Sequence, residues 1–284
     1  MPSSPLLLRA GRRGRGAHGT AIGVETATYD LRALLRNRRW VRRFDPFPHV
    51  TATDVFVPSF YAELEGAFRE LLSRGLSDGP SFHRMSRSSE AYGAYVYNLS
   101  RARSTALGIF ASRAWHDVIA AATGAVANGD VGGALHHHRP GGANGTVHCD
   151  FNAAWFADVH DADGINLTDS VACDYLTGRV NAESVRPRET VRSAAMLFYL
   201  CNGPWNPSDG GATGLYARAG DDAARPRRAI GPVDNSLVAF ACTPSSFHTF
   251  TANRAPRSSV IVWLHQPKAA AVERWGAESI ERWT

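Results

Sequence analysis

The run Val147-His148-Cys149-Asp150 reads as part of a strand. Side chains alternate along a strand, so His148 and Asp150 share one face while Cys149 points the other way. Two donors on one face can grip a single ion. In a chain with 11 histidines an isolated His-x-Asp carries little weight by itself. His248, about a hundred residues downstream in a second strand-like run, offers a third donor. Two imidazoles and one carboxylate are the donor set of a non-haem iron centre that keeps positions open for other ligands. Nine residues beyond His248, Arg257 opens the run RSSVIVW. From there its permanently charged, planar fork could reach into the same cavity and clamp a carboxylate.

Such residues need a scaffold, and the chain reads in two halves. Residues 29–43 are expected to form a short helix, and PFPHVTATDVFV a strand or extended lead into a helix over about 58–74. That helix carries Phe60, Leu64, Phe68 and Leu71 at helical spacing and stops near Gly75. Residues 80–100 are polar and mixed. A further amphipathic helix is expected over about 104–123, ended by Gly124. From about 130, short apolar or alternating runs recur between Gly, Pro, Asn and Asp: VHCDFNAAWF, AAMLFYL, TGLYA, SLVAFAC, SSFHTF and SSVIVWLH. Many short strands with regular turn signals argue for an all-β sandwich or barrel. The long stretch 157–191 between two of them reads as a lid or an inserted element. The tail AAAVERWGAESIERW can form a terminal helix.

Several segments in one order, over about residues 46–264, resemble the 2-oxoglutarate oxygenases, especially the prolyl-hydroxylase-like branch. PFPHVTATDVFVPSFYAELEGAF resembles a lead-in segment of bacterial members. HCD followed by FYLCNGPWNPSDGGATGLY is similar to the iron pair and the stretch after it. FHTF with RSSVIVW resembles the distal histidine and the cosubstrate arginine, with Trp263 six residues beyond it. The resemblance implies a mainly β fold, a double-stranded β-helix or jelly roll with supporting N-terminal α-helices. Its layout here would be a flexible leader over 1–28 and a single oxygenase domain over 29–284. That domain would comprise helical support over 29–125, a jelly-roll core over 126–266 and a C-terminal helix over 267–284. It also implies Fe(II) held by His148, Asp150 and His248, with 2-oxoglutarate as cosubstrate. Arg257 would take the distal carboxylate, with Ser259 as a helper one strand repeat on. Tyr199 and Thr213 match positions lining the cosubstrate pocket, with plain core packing as the other reading. His138 stands where relatives often carry Tyr, ten residues before His148.

The reaction implied is oxidative decarboxylation to succinate and CO₂, coupled to oxidation of a substrate C–H bond. Halogenating relatives carry Gly or Ala in place of the carboxylate, so Asp150 points to hydroxylation or a related oxidation. The expected partners are O₂ and a small-molecule substrate, an amino acid derivative or natural-product intermediate. Three features motivate that choice: no appended peptide-binding domain or repeat array, the 157–191 stretch placed to cap the barrel mouth, and Phe151, Asn152 and Trp155 as pocket lining. The alternative is a hydroxylase of protein or peptide side chains. A non-enzymatic jelly roll would have no reason to keep both histidines, the aspartate and the arginine.

The remaining features set bounds. The run His136-His137-His138 reads as an ordinary strand rather than a second metal site, and Trp155, Trp205 and Trp263 as core or substrate contacts. Four cysteines without CxxC spacing suggest neither a zinc knuckle nor a disulfide framework. A formal net charge of +5, with arginines crowding residues 9–15 and 32–43, reads as a solvated basic face; no nucleic-acid partner is expected. No apolar run is long enough to span a bilayer, and the opening lacks the apolar core of a secretory signal; the expectation is a cytoplasmic protein. The sequence leaves the oligomeric state open.

Overall fold

A computed structural model describes residues 29–90, 92–168 and 172–282. The expected leader, 1–28, lies outside the described residues.

The chain is mainly β. In order its strands are β1 (Val41–Arg43), β2 (His49–Ala52), β3 (Leu76–Ser77), β4 (Met85–Ser89), β5 (Ala94–Asn98), β6 (Asp130–His138), β7 (Ala153–Ala157) and β8 (Asn166–Leu167). There follow β9 (Pro187–Tyr199), β10 (Thr213–Leu215), β11 (Arg228–Ile230), β12 (Ser236–Ala241), β13 (His248–Phe250) and β14 (Arg257–Pro267). The helices are α1 (Leu31–Leu34), α2 (Pro58–Ser73), α3 (Arg113–Thr123) and α4 (Lys268–Trp275). The major sheet runs β1-β2-β12-β9-β14-β6-β5-β4-β3, with β7 also on β9 and β8 on β6; a minor sheet runs β11-β10-β13. This is the double-stranded β-helix arrangement.

Alternation along the central strands creates two cores. On β9, Met196 and Phe198 face the helices, while Leu197 and Tyr199 face the barrel interior with Leu215, Val238 and Phe240. On β14, Val260, Val262 and Leu264 join the helical core, so Arg257, Ser259, Ile261 and Trp263 fall on the opposite face. That period of two places the chemistry inside the barrel.

The helical core is aromatic. Phe198 packs against Phe56 at 5.4 Å and Phe110 at 5.0 Å between ring centroids, and Phe110 meets Trp115 edge-on at 5.4 Å. Helix α2 begins with Pro58 in its first turn and buries Phe60, Leu64, Phe68 and Leu71. Phe198→Ala is expected to cost about 3–5 kcal/mol through lost burial and the cavity left behind, measured by denaturant unfolding.

Four local expectations are corrected. The helix over 29–43 shrinks to Leu31–Leu34, because Leu35 bridges to Phe56 and Arg36 donates to the Val55 carbonyl; the chain then forms edge strand β1. The helix over 104–123 breaks in two. A 3-10 turn over Ala106–Ala111 ends at Ser112, whose extended backbone and hydroxyl cap α3 by accepting from the Trp115 N–H. The mixed stretch 80–100 contains the paired strands β4 and β5. The terminal helix covers Lys268–Trp275 and gives way to a 3-10 turn over Ala277–Ser279.

Candidate active site

His148 and His248 meet because their backbones pair. The His148 N–H donates to the His248 carbonyl at 3.1 Å and the His248 N–H returns to the His148 carbonyl at 2.8 Å, an isolated antiparallel bridge. The two imidazoles stand 4.6 Å apart, centroid to centroid. Asp150, two residues on, turns to the same side, and one ligand atom from each of the three lies within 4.8 Å of the others. Cys149 points away, its buried thiol donating to Glu281.

Each ring is oriented from behind. The Nδ1 of His148 lies 2.8 Å from the Thr146 carbonyl and that of His248 3.0 Å from the Ser246 carbonyl. A carbonyl can only accept, so both Nδ1 atoms carry the proton and both Nε2 lone pairs are free for an ion. Desolvation by the surrounding cavity walls, with the neighbouring His248, lowers the pKa of the partly exposed His148, which favours the neutral, ligating form. Burial opposes ionisation of Asp150, but the Arg192 guanidinium and His248 hold its carboxyl well below the usual carboxylate range. Arg192 donates to Oδ1 at 2.6 Å and the Trp263 indole N–H to Oδ2 at 2.6 Å.

These groups open into a cavity of about 400 Å³. Arg257 lies at its inner end, 3% exposed, opposite His138 in the β14–β6 register. It donates to the Thr213 hydroxyl at 3.2 Å, which pairs in turn with the Tyr199 hydroxyl at 2.7 Å. Its Nε is buried without a hydrogen-bond partner, and among the described residues no carboxylate pairs with it. Burial lowers its pKa, yet an arginine stays charged at any ordinary pH. A buried cation without an anion is costly unless a ligand supplies one. An anionic ligand bound beside the two-histidine, one-carboxylate cluster would meet that need.

Of the remaining expected residues, Thr213 and His138 line the cavity, whereas Ser259 and Tyr199 are fully buried behind Arg257 and Thr213. His138 stacks on Phe250 at 4.3 Å, and burial together with Arg257 lowers its pKa to about 2, so it faces the cavity as a neutral ring. His136, also lining the cavity, is held to about 3 by burial and the same arginine.

The expected pocket lining is corrected. Phe151 and Asn152 are buried outside the cavity, and Trp155 packs on the turn at Gly178. Trp205 donates to the Gly210 carbonyl; Trp263 alone of the three singled-out tryptophans lines the cavity. No described residue of 157–191 lines it either. Strand β8 instead pairs with the start of β6, and Tyr175 lies behind Arg192. Residues absent from the sequence reading line the cavity as well: Leu197 and Ile261 at its base, and Ser88, Ser89 and Tyr92 from the β4–β5 hairpin at its side. Ile261 was accessible in principle, being two strand repeats beyond Arg257. The hairpin carried no chemical signal.

Two histidines and one carboxylate inside a barrel, beside a buried arginine, form the donor set suited to a non-haem iron centre. The comparisons agree. Residues 171–265 match the family described as the 2OG-Fe(II) oxygenase superfamily, a segment holding His248 and Arg257. Among curated proteins no sequence matches. A solved prolyl hydroxylase from Trichoplax adhaerens, in complex with a hypoxia inducible factor oxygen degradation domain peptide fragment, is similar at 14% identity and a TM-score of 0.51. The match covers 79% of this chain and 86% of that one. A Pseudomonas putida prolyl-4-hydroxylase gives 16% identity and 0.46 over 77% and 92% of the two chains. A viral collagen prolyl hydroxylase from Paramecium Bursaria Chlorella virus-1, in a 2OG complex, gives 11% and 0.44 over 78% and 98%. Residues 171–265 thus carry the match to the 2OG-Fe(II) oxygenase superfamily, the fold is prolyl-hydroxylase-like, and His148, Asp150 and His248 form a cluster that could hold a metal ion. Among the described residues no helix is long and apolar enough to cross a membrane.

Proposed function

We propose that the enzyme hydroxylates a side chain of a peptide or protein segment lying across the mouth of this cavity. In this reading His148, Asp150 and His248 hold Fe(II), and Arg257, helped by Thr213, takes the distal carboxylate of 2-oxoglutarate. Bound there, the metal and cosubstrate would supply the oxidising power with O₂ as co-reactant, one oxygen atom leaving in succinate alongside CO₂ and the other entering a substrate C–H bond. The protein's own residues orient and enclose. The carbonyls of Thr146 and Ser246 fix the imidazoles. Arg192 and Trp263 fix the carboxylate, and Leu197, Ile261 and Phe250 keep the inner end apolar.

The observation that carries the choice of substrate is the uneven exposure of the cluster. The His148 side chain is 47% exposed, whereas those of Asp150 and His248 are 8% exposed. The site thus opens on the His148 side, between the β4–β5 hairpin and the Gly145-Thr146 turn. A chain threading past that opening could present one side chain to the metal. The expectation of a small molecule rested in part on a cap formed by 157–191, and none of its described residues lines the cavity. The Trichoplax neighbour, with its peptide, supports the same reading.

Incubation with Fe(II), 2-oxoglutarate and parallel panels of peptides and small carboxylic or amino acids tests it. Succinate formation is expected to rise with peptides, which gain the mass of one oxygen in a side chain. Coupled turnover with small molecules alone would return the substrate to that class.

A further inference from the structure

The segment expected to cover the cavity is braced instead against the far side of the iron carboxylate. We propose that Tyr175 is a positioning residue for Asp150: its hydroxyl holds the Arg192 guanidinium, which in turn holds the carboxylate in its ligating orientation. This rests on the reading of His148, Asp150 and His248 as the metal ligands.

The hydrogen bonds have only one consistent direction. His265 Nδ1 lies 3.2 Å from the Asp130 backbone carbonyl, so it donates, and its Nε2 is left as an acceptor. The Tyr175 hydroxyl, 2.9 Å from that Nε2, therefore donates to it. Its oxygen is then free to accept the Arg192 Nε–H at 3.0 Å, and Arg192 spends another N–H on Asp150 Oδ1 at 2.6 Å. The polarity runs without conflict from the backbone of β6 to the carboxylate. Burial and the Arg192 charge lower the pKa of His265 to about 3, in keeping with a neutral ring that can accept. Arg192 also lies 4.0 Å over the Trp263 ring, and Trp263 donates to the other carboxylate oxygen. Asp150 is thus pinned through both oxygens by two side chains that touch each other.

Tyr175 is itself held firmly. Its carbonyl accepts from the Trp155 N–H at 2.9 Å. Its turn is closed by the Asp174 carboxylate, which accepts from the backbone N–H groups of Leu176 and Thr177 and from the Thr177 hydroxyl. Gly178 takes φ +72 and lies flat on the Trp155 indole, where a Cβ would fall 2.5 Å from the ring. The Tyr175 ring meets Phe156 and His265 edge-on, each at 5.7 Å. Across from it, Gly132 leaves room for the hydroxyl; a Cβ there would stand 3.2 Å from it. A turn this constrained, delivering one hydroxyl to the arginine of a ligand carboxylate, suits orientation better than filling space.

Groups that orient metal ligands typically matter by about 10–100-fold in metal affinity. One step further removed, Tyr175→Phe is expected to weaken Co(II) binding to the full-length protein by about three- to tenfold. It should also shift the d–d bands of bound Co(II), with folding unchanged by circular dichroism. In an Arg192→Met background the same change is expected to add nothing, because the hydroxyl no longer has an arginine to hold. An unchanged affinity and spectrum in Tyr175→Phe, or an equal loss in both backgrounds, overturns the brace. Should Tyr175→Phe fail to fold, Gly132→Ala presses on the hydroxyl with the tyrosine in place. It is then expected to shift the same bands, and unshifted bands count against the brace. His248→Ala separates the two readings. If it leaves Co(II) binding and spectrum intact, the metal-site assignment fails and the brace with it. If it abolishes them while Tyr175→Phe is silent, only the brace fails.

Discussion

His248→Ala is expected to leave less than about one hundredth of the original 2-oxoglutarate turnover. Even partners that only orient a ligand shift metal affinity or activity by about 10–100-fold, and His248 is one of the three proposed ligands themselves. It is buried and paired through its backbone to His148. The bridge uses main-chain atoms only, so an alanine keeps β13 in register and the loss should be one of chemistry. Succinate release under saturating Fe(II), with circular dichroism as the folding control, measures it. Near-full turnover would sink the proposed ligand set. Supplying imidazole in solution is expected to restore part of the activity, since the gap left by the ring faces the cavity.

The same bridge shows what the sequence could and could not convey. His148 and Asp150 announced themselves because strand alternation is a local rule, and His248 followed from the donor count. What local rules omit is the partner across the sheet. Nothing in the sequence says that His148 pairs with His248, or that Arg257 faces His138. Arg192 was legible only as an oddity, the one charge in the largely apolar run VRSAAMLFYL. A buried charge calls for a partner, but only the fold names Asp150 and Tyr175. Whether the 157–191 stretch is a lid or an inserted element was open for the same reason. Its length signals an insertion, while its side of the barrel depends on β8 joining the start of β6, a parallel pairing of two residues with no sequence signature. The N-terminal helix failed more simply. The helix expected over 29–43 was outweighed by the tertiary capture of Leu35 and Arg36 along the 55–56 backbone.

Arg257→Ala is expected to raise the concentration of 2-oxoglutarate needed for half-maximal turnover by at least about tenfold. Arg257 is fully enclosed, its Nε lacks a partner, and among the described residues no carboxylate neutralises it. A cosubstrate carboxylate would fill that role, and losing a hydrogen bond to a charged group typically costs about 1.5–3 kcal/mol, a tenfold or greater change in affinity. Two further variants sharpen the reading. Arg257→Lys keeps the charge but loses the planar fork, so a smaller loss is expected. Thr213→Val removes the hydroxyl that accepts from Arg257 and pairs with Tyr199, leaving the charge in place; a loss of a fewfold, about 1 kcal/mol, is expected. Removing a cation from a buried site that has no anion of its own also relieves a desolvation cost. The Arg257→Ala protein is therefore expected to be at least as resistant to denaturant as the parent while binding its cosubstrate worse. Stability and affinity moving in opposite directions would mark Arg257 as a residue kept for its ligand. A variant that lost stability and kept its 2-oxoglutarate dependence would instead place the carboxylate on another residue.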